Sequence, residues 1–444
     1  MIVMKFGGSS VANRAQIEKV MAIVASHRTR SPIVVVSAHK GITDALIDAA
    51  RAAAGGADAG ERVIARQTEI ASSLECSPEL LAPLFAEIRD LLRGIKLVKE
   101  LSARSLDYIS SFGERMSMRC IADFFARQGL PALGFDAWDL GFVTDSNFGR
   151  ARPTEGFDAR MREGLKSKVP EGMVPIVTGF VGMNAKGEIT TVGRNGSDLT
   201  ASLVGAAIRA QEVQIWSDTD GVMSADPSVV PSARSIPTMR FDEAAELAYF
   251  GSRVLHPSTL LPAMTGDIPV RVMNTNRPEH PGTVITSTPN LEVPEVTSIA
   301  YKERQAVLQL TSTRMFDQVG FVADVFAVLA RHHVDVDMIS TSEVSVSVSS
   351  YNLPALEAAM AALQPLGQCE LHTGKTILSI VGQHLARTRG IGGRILQCIA
   401  DAGVNVEMMS FGIGSINFTV VIDDADIGKV VPLLHARLFE GALV

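Results

Sequence analysis

The sequence predicts an α/β domain with a mainly parallel sheet between helices, followed by an α+β region built from a repeat. Two observations indicate this order: short apolar segments alternate with helical patterns through about the first 290 residues, and a repeated pattern follows. Prolines and threonines concentrate at 278–294, which is typical of a linker. Because 444 residues exceed what one hydrophobic core usually serves, we expect two or three domains.

Segments rich in valine and isoleucine predict the strands of the first domain. They lie at 2–6, 32–37, 174–180, 213–217 and 269–273, with helical patterns between them at 15–26, 199–209 and 241–250. Buried strands that alternate with helices favour a parallel sheet with helices on both faces. Ligands are then expected at the carboxyl ends of the strands.

One stretch departs from this alternation. From about 60 to 127, leucine, isoleucine and alanine recur at helical spacing, and no strand pattern interrupts them. We interpret the stretch as a helical insertion that forms one wall of a cleft. Ordinary crossover helices are the alternative.

The C-terminal region contains an internal repeat. Residues 307–349 match residues 377–419 at a constant offset of 70, and Gly320 thereby corresponds to Gly390 and Met338 to Met408. Each copy has the pattern of a strand, a loop with glycine, an amphipathic helix and two further strands. Two such units predict paired ferredoxin-like modules, which suit a ligand sensor or a dimer interface.

Composition excludes several classes of protein. Hydrophobic residues make up 46% and charged residues 20%, the net charge is −7, and no basic stripe indicates binding to nucleic acid. The four cysteines show no metal-ligand spacing and are typical of buried thiols in a reducing compartment. With no signal-peptide pattern and no apolar run near ~18 residues, we expect a cytoplasmic protein without membrane association.

The hexapeptide at residues 5–10, Lys-Phe-Gly-Gly-Ser-Ser, directly follows the first predicted strand. Its glycines let backbone N–H groups approach phosphate oxygens, and Lys5 supplies a positive charge. The peptide therefore indicates an anion site, although a plain strand-to-helix turn has the same composition.

A second glycine-rich turn, Gly-Arg-Asn-Gly-Ser-Asp at 193–198, leads into a predicted helix. Arg194 is suited to bind a carboxylate or phosphate with two hydrogen bonds. Asp198 could simply cap the helix, but capping alone requires neither the arginine nor the two glycines. We interpret this turn as a catalytic loop.

Weaker signals lie at two further predicted strand ends, 37–44 and 217–222, and at Glu114 within the helical stretch. An ordinary Asp-Gly turn and an exposed helical glutamate are the alternatives for the last two. The sequence has no Walker-A motif, no G-x-G-x-x-G before a helix in the first domain and no H-E-x-x-H.

With these motifs the chain resembles the aspartate kinases that carry a C-terminal regulatory region, over essentially its whole length. The motifs are those at 5–10, 37–44, 112–114, 193–198, 217–221 and 250–257, in the family's order. The resemblance implies an amino-acid-kinase fold at 1–290, followed by ACT modules at 298–373 and 374–444.

The resemblance also implies an activity: phosphorylation of the β-carboxylate of L-aspartate by ATP with Mg²⁺, which yields 4-phospho-L-aspartate. Lys5 and Asp198 would act in catalysis. The implied aspartate-binding residues are Ser37, Thr43, Glu114, Phe180 and Arg194. The implied nucleotide-binding residues are Lys5, Gly7, Gly8, Ser9, Ser217, Asp218, Met223 and Arg253.

Feedback inhibition by lysine and assembly into a homodimer or homotetramer are implied in the same way. The corresponding effector residues are Met315, Gln318, Phe321, Val322, Val336, Asp337, Ser342 and Glu343. Asp337 and Glu343 could meet ammonium groups, or they could be solvated loop acids. Two other functions stay open: a kinase of this fold for another acidic amino acid, and an amino-acid sensor with a weakened kinase site.

Overall fold

The computed structural model describes residues 1–251, 256–288, 295–316 and 318–440. The chain forms two compact units. The first comprises Met1–Val222, Pro237–Phe241 and the described part of Val254–Pro289. The second comprises Met223–Ile236 and the described parts of Asp242–Arg253 and Asn290–Val444.

Seventeen strands and thirteen α-helices occur in the described residues. The strands are β1 (Ile2–Phe6), β2 (Pro32–Val36), β3 (Ala132–Phe135), β4 (Val143–Thr144), β5 (Val174–Thr178), β6 (Val181–Asn184), β7 (Ile189–Thr191), β8 (Val213–Ser217), β9 (Thr238–Arg240), β10 (Val270–Asn274), β11 (Thr283–Thr286), β12 (Ser298–Thr311), β13 (Met338–Thr341), β14 (Ser345–Ser350), β15 (Gln368–Val381), β16 (Met408–Ser410) and β17 (Asn417–Asp423). The helices are α1 (Arg14–Ser26), α2 (Ile42–Ala54), α3 (Gly60–Ser73), α4 (Ala82–Val98), α5 (Ala103–Arg127), α6 (Phe157–Lys168), α7 (Gly196–Ile208), α8 (Phe241–Tyr249), α9 (Pro257–Thr265), α10 (Phe321–Arg331), α11 (Leu353–Leu363), α12 (Ile391–Asp401) and α13 (Ile427–Phe439).

The main sheet of the first unit has eight strands in the order β3-β5-β2-β1-β8-β10-β11-β9. All neighbours pair in parallel except β10 and β11. Every residue of β1 and β2 is buried, as expected for strands covered on both faces. The predicted α/β class is confirmed. Because Phe6 pairs with both Val36 and Trp216, the carboxyl ends of β1, β2 and β8 meet at one edge.

The stretch at 60–127 contains α3, α4 and α5 and no strand. Close packing at Gly113 brings α5 directly against the loop that follows β2. A Cβ atom at Gly113 would lie 2.7 Å from the Cβ of Ala38 and 3.1 Å from the Oγ1 of Thr43. Helix α5 therefore reaches the edge where the main strands end.

The linker predicted at 278–294 is wrong for part of its length, because Thr283–Thr286 forms β11. This strand pairs antiparallel with β10, and alternate residues Thr283 and Ile285 are buried. Thr283 and Thr286 thus belong to a strand with one buried face rather than to a spacer. Residues 289–294 lie outside the described residues.

The second unit contains an antiparallel sheet of six strands in the order β13-β14-β12-β15-β17-β16. The predicted repeat is visible in it, because β12 and β15 are both 14 residues long and α10 and α12 both have 11 residues. The predicted α+β character of this region is confirmed.

The two repeats have separate hydrophobic cores. One contains Leu308 and Leu310 with residues of α10, β14 and α11. The other contains residues of β15, α12, β17 and α13, and Ile299 from the start of β12 packs with it. The boundaries predicted from the sequence, 298–373 and 374–444, would assign the start of β12 to the first repeat. In the structure, Ile299 from this part of the strand packs in the core of the second repeat. The packing differs because one long strand serves both cores.

Candidate active site

A cavity of about 710 Å³ lies beside the carboxyl ends of β1 and β2. It brings together all seven residues that the sequence predicts for catalysis and aspartate binding: Lys5, Ser37, Thr43, Glu114, Phe180, Arg194 and Asp198. These residues come from three strand ends, from α2 and α5, and from the turn that leads into α7 together with the first turn of that helix. The cavity is where a parallel sheet is expected to bind its ligand.

An ion pair joins the two sides of this cavity. The Nζ atom of Lys5 lies 2.6 Å from the Oδ1 atom of Asp198, and both side chains are about nine-tenths buried. The pair holds the lysine ammonium at the end of β1, close to Gly7, where a Cβ atom would lie 3.4 Å from this Nζ. Such a fixed cation can stabilise negative charge that develops on a bound phosphoryl group.

The turn that carries Arg194 and Asp198 depends on close packing by glycine. A Cβ atom at Gly196 would lie 2.5 Å from the Cδ2 of Phe180. Phe180 itself has a φ of +65° and donates its backbone N–H to the Oγ1 of Thr200 in α7. Few bulky residues adopt this backbone conformation, and here it turns the chain after β5 beneath the start of α7.

Glu114 is the buried acid of the cavity. One carboxylate oxygen, Oε1, accepts a hydrogen bond of 3.2 Å from the backbone N–H of Ala38. Burial raises the pKa of Glu114 to about 8, although the Ala38 N–H and the charge of Lys5 act in the opposite direction. The exposed-helix alternative for Glu114 is wrong, since only 4% of the residue is accessible.

Residues predicted for the nucleotide are only partly brought together. The N–H of Gly7 donates to the carbonyl of Trp216 over 3.2 Å, so the turn at Gly7, Gly8 and Ser9 lies beside the strand that ends at Ser217. The next residue, Asp218, is exposed. Met223 belongs to the second unit, where it forms a bridge with Ser235. Arg253 lies outside the described residues.

The residues predicted to bind an effector lie in the second unit, around α10 and the edge strand β13. Phe321 is buried in the core, while Val322 is exposed on the same helix. Met315 and Gln318 precede this helix, Val336 and Asp337 precede β13, and Ser342 and Glu343 follow it. Asp337 is the best-packed acid of the set, because its side chain is only 1% exposed.

Two polar residues near the cavity are not singled out by sequence reasoning. Asp107 lines the cavity from α5 and accepts hydrogen bonds from Gly149 and Thr191. His39 is buried, its Nδ1 lies 2.6 Å from the carbonyl of Val11, and burial lowers its pKa to about 4. The only sequence signal for Asp107 is its spacing from Glu114: it lies about two helical turns earlier, on the same face of α5.

The described part of the chain brings no three His, Cys, Asp or Glu side chains into an arrangement that could hold a metal ion. Among the same residues, no helix combines the length and the apolar character needed to cross a membrane.

Comparison with known proteins agrees with this geometry. The model of the amino acid kinase family matches residues 1–274, and that of the ACT domain matches 308–351 and 378–438. The chain is 34% identical to lysine-sensitive aspartokinase 3 of Escherichia coli, over 99% of both chains. It is 36% identical to the chloroplastic aspartokinase 1 of Arabidopsis thaliana, over 99% of this chain and 80% of that protein.

Solved structures show the same similarity. E. coli aspartokinase III in complex with aspartate and ADP superposes with a TM-score of 0.83, at 33% identity, over 99% of this chain and 100% of that one. The same enzyme in complex with lysine and aspartate gives a TM-score of 0.77. The fold and the site define a phosphotransferase of the amino acid kinase class with ACT domains. Within that class, the chain belongs to the aspartokinase family.

Proposed function

We infer that this chain transfers the γ-phosphoryl group of ATP to the β-carboxylate of L-aspartate, the first step towards lysine, threonine and methionine. The observation that carries this inference is the cavity itself, in which the Lys5–Asp198 pair lies with Glu114 and Arg194. Glu114 can thus accept from an ammonium group, Arg194 can donate to a carboxylate, and Lys5 is a cation held in place by Asp198. L-Aspartate presents these groups together with a second carboxylate as the nucleophile.

We propose that Arg194 binds the α-carboxylate of aspartate and Glu114 its ammonium group. The guanidinium of Arg194 can make two parallel hydrogen bonds to a carboxylate, and a buried Glu114 discriminates strongly in favour of a cationic partner. Ser37, Thr43 and Phe180 complete the pocket. This orientation leaves the β-carboxylate free to react.

In the proposed reaction an oxygen of the β-carboxylate attacks the γ-phosphorus of ATP. One P–O bond forms, the bond from the γ-phosphorus to the bridging oxygen breaks, and ADP leaves with the electron pair. No general base is needed, because the nucleophile is already ionised. Lys5, held by Asp198, stabilises the charge on the transferring phosphoryl group.

Mg²⁺ would neutralise phosphate charge during this transfer. The described residues offer no cage of three metal-binding side chains, so we propose that nucleotide phosphates and water supply most of its ligands. Gly7, Gly8, Ser9, Ser217 and Asp218 are the proposed nucleotide contacts in the first unit. Met223 and Arg253 remain proposals by family resemblance.

We further propose that the ACT region binds lysine as a feedback inhibitor, through the eight residues around α10 and β13. Support comes from the similarity to a lysine-sensitive relative. We retain 298–373 and 374–444 as proposed module limits, with the start of β12 contributing to the second core. Assembly into a homodimer or homotetramer and a cytoplasmic location stay predictions.

A hydroxylamine-trap assay tests the proposed activity. We expect acyl hydroxamate from Mg-ATP and aspartate but not from glutamate, and we expect Lys5→Ala to lower turnover by on the order of 10²–10³. Lys186→Ala, which changes an exposed lysine of the same unit, is the matched control. The proposal fails if wild-type protein forms no hydroxamate from millimolar aspartate.

A further inference from the structure

Asp107 connects three parts of the active site that are distant in sequence. Its residue is 3% exposed, and it lies on α5 about two turns before Glu114. Its Oδ2 accepts from the backbone N–H groups of Gly149 and Thr191, at 2.9 and 2.8 Å, and its Oδ1 accepts from the Thr191 hydroxyl at 2.8 Å.

These bonds end next to the loop that carries Arg194. Thr191 closes β7, three residues before Arg194. A Cβ atom at Gly193 would lie 3.0 Å from the carbonyl oxygen of Gly149, so the two segments held by Asp107 also contact each other. We propose that Asp107 is a positioning residue that sets the spacing between the Glu114 helix and the Arg194 loop. This inference rests on the proposed function, in which these residues bind the two ends of aspartate.

The expected signature is a change in aspartate binding rather than in folding. Misplacement of a binding group by about 1 Å can cost on the order of 10² in rate. We expect Asp107→Ala to raise the KM for aspartate at least tenfold while the KM for ATP changes less than twofold. A purely structural role would reduce the active fraction and leave both KM values unchanged.

Matched variants keep the test decisive. Asp107→Asn should recover most of the affinity, because its carbonyl can accept both backbone bonds and the Thr191 hydroxyl can turn to accept from its amide. Thr191→Val should give an intermediate KM, and this milder variant answers the question if Asp107→Ala does not fold. Asp136→Ala removes another buried carboxylate of the unit, one paired with Arg119 at 2.8 Å, and should leave the KM unchanged.

The two possible failures are distinguishable. If wild-type protein forms no hydroxamate from aspartate, the proposed function is wrong. If wild-type protein is active and neither Asp107→Ala nor Thr191→Val raises the aspartate KM, only the role of Asp107 is overturned.

An independent observation concerns Asp337 in the second unit, which the sequence predicts to meet an effector ammonium. Both of its carboxylate oxygens are already engaged: the Nζ of Lys302 lies 2.7 Å from Oδ2, and the Tyr249 hydroxyl donates to Oδ1 over 2.6 Å. The same Nζ lies 5.1 Å from the centre of the Tyr249 ring and 4.8 Å from that of Tyr351. We call Asp337, Tyr249 and Tyr351 the ammonium box.

A carboxylate beside two aromatic rings is an arrangement that recognises alkylammonium groups. Here the box holds the ammonium of the chain's own Lys302, which is chemically the same group as the ε-ammonium of free lysine. We propose that Lys302 is a built-in competitor that an amino-acid effector must displace to reach Asp337. This inference rests on the effector site put forward under the proposed function.

The second repeat provides an internal comparison. Glu407 occupies the position that corresponds to Asp337, immediately before the edge strand β16, and the Nζ of Lys375 lies 2.6 Å from it and 2.7 Å from Asp423. Both repeats therefore neutralise the acid before the edge strand with a lysine from a long central strand. Among the described residues, the two tyrosine rings surround the ammonium of the first repeat alone, and this repeat is also the one that contains the predicted effector residues.

Inhibition of the full-length enzyme by L-lysine tests the competition. We expect Lys302→Met to lower the half-inhibiting lysine concentration about tenfold, because the competitor is gone. Lys302→Arg should raise that concentration, because the guanidinium can bind the carboxylate through two bonds. Lys375→Met is the matched control and should leave lysine sensitivity unchanged.

Calorimetric titration of L-lysine into the same variants separates binding from inhibition. If wild-type enzyme is not inhibited by lysine, the proposed effector is wrong. If wild-type enzyme is inhibited but both Lys302 variants have unchanged half-inhibiting concentrations, the competition is overturned. Should Lys302→Met not fold, Lys302→Arg alone decides between these outcomes.

Discussion

The protonation state of Glu114 is governed by burial. Its pKa is raised to about 8, from a usual value near 4.5, because the carboxyl group is removed from water. At neutral pH the ligand-free site therefore holds mainly a neutral glutamic acid. In the proposed complex the ammonium group of aspartate would favour the ionised form, so substrate binding and proton loss would be coupled.

This coupling predicts proton release on aspartate binding. At pH 7, below the pKa of about 8, formation of the Glu114–ammonium pair should release a large fraction of one proton. Titration calorimetry in buffers with different ionisation enthalpies measures this number. Glu114→Gln should bind aspartate more weakly and release none; unchanged release in that variant would assign the proton to another group.

The same shift predicts a pH dependence of stability. Between about 4.5 and 8 the native ligand-free protein binds more protons at Glu114 than the unfolded chain does. Its free energy of unfolding must therefore fall as pH rises through this window. The melting temperature of wild-type protein should drop more between pH 5.5 and 8 than that of Glu114→Gln. Parallel curves would contradict the buried, neutral acid.

Some residues of the candidate site could be predicted from the sequence, and others could not. Lys5, Arg194 and Asp198 could be predicted because glycine-rich turns at strand ends mark them. Asp107 could not, because two of its partners are backbone N–H groups, of Gly149 and Thr191, and the third is the hydroxyl of Thr191, which is distant from it in sequence.

Among the helices, α5 and α4 contain glycines with opposite surroundings. Gly113 in α5 has Ala38 and Thr43 in immediate contact, whereas a Cβ atom at Gly94 in α4 would have no atom within 4 Å. Gly113 permits α5 to pack closely on the loop after β2. Gly94 has no such packing role, and it only lowers the stability of α4.

Alanine at these two positions should therefore have opposite effects. Gly113→Ala should destabilise the protein by about 1–3 kcal/mol and raise the KM for aspartate, because α5 must move away from the loop that Glu114 contacts. Gly94→Ala should stabilise it by about 0.5–1 kcal/mol without a kinetic effect. Denaturant unfolding and aspartate kinetics measure both. Equal effects of the two substitutions would refute the packing argument.

Elements of the first unit were predictable where apolar periodicity is strong. The predicted strand at 2–6 agrees with β1, and the predicted helix at 15–26 agrees with α1 to within one residue. The short strands β4, β6 and β7 were not predicted, because two to four residues carry too little periodicity. The repeat offset predicted β12 and β15 as equivalents but could not show which core each half of β12 would join.

In the molecule as a whole, the first unit contains the ligand cavity and the second unit contains the proposed effector residues. Each unit has hydrophobic cores of its own. A ligand that binds only the native form of one unit stabilises that unit by an amount set by its concentration and affinity.

Thermal unfolding should accordingly show two transitions with different ligand responses. L-Aspartate should raise the midpoint temperature of one transition and L-lysine that of the other, because each ligand stabilises its own unit by about 2.7 kcal/mol at a hundredfold excess over its Kd. Differential scanning calorimetry measures both midpoints. A single transition that responds equally to both ligands would show that the units do not unfold separately.

The shared strand β12 also has a consequence for synthesis on the ribosome. Its first residues pair with the far end of β15, Lys302 with Ile377 and Ser298 with Val381, so their partners are translated about 75–83 residues later. At ~5–20 residues per second, the partner residues of this strand are synthesised roughly 4–17 s after it. During that time an unpaired apolar strand is exposed to other nascent chains. Expression at lower temperature or with chaperones should therefore raise the yield of folded protein chiefly through the C-terminal region.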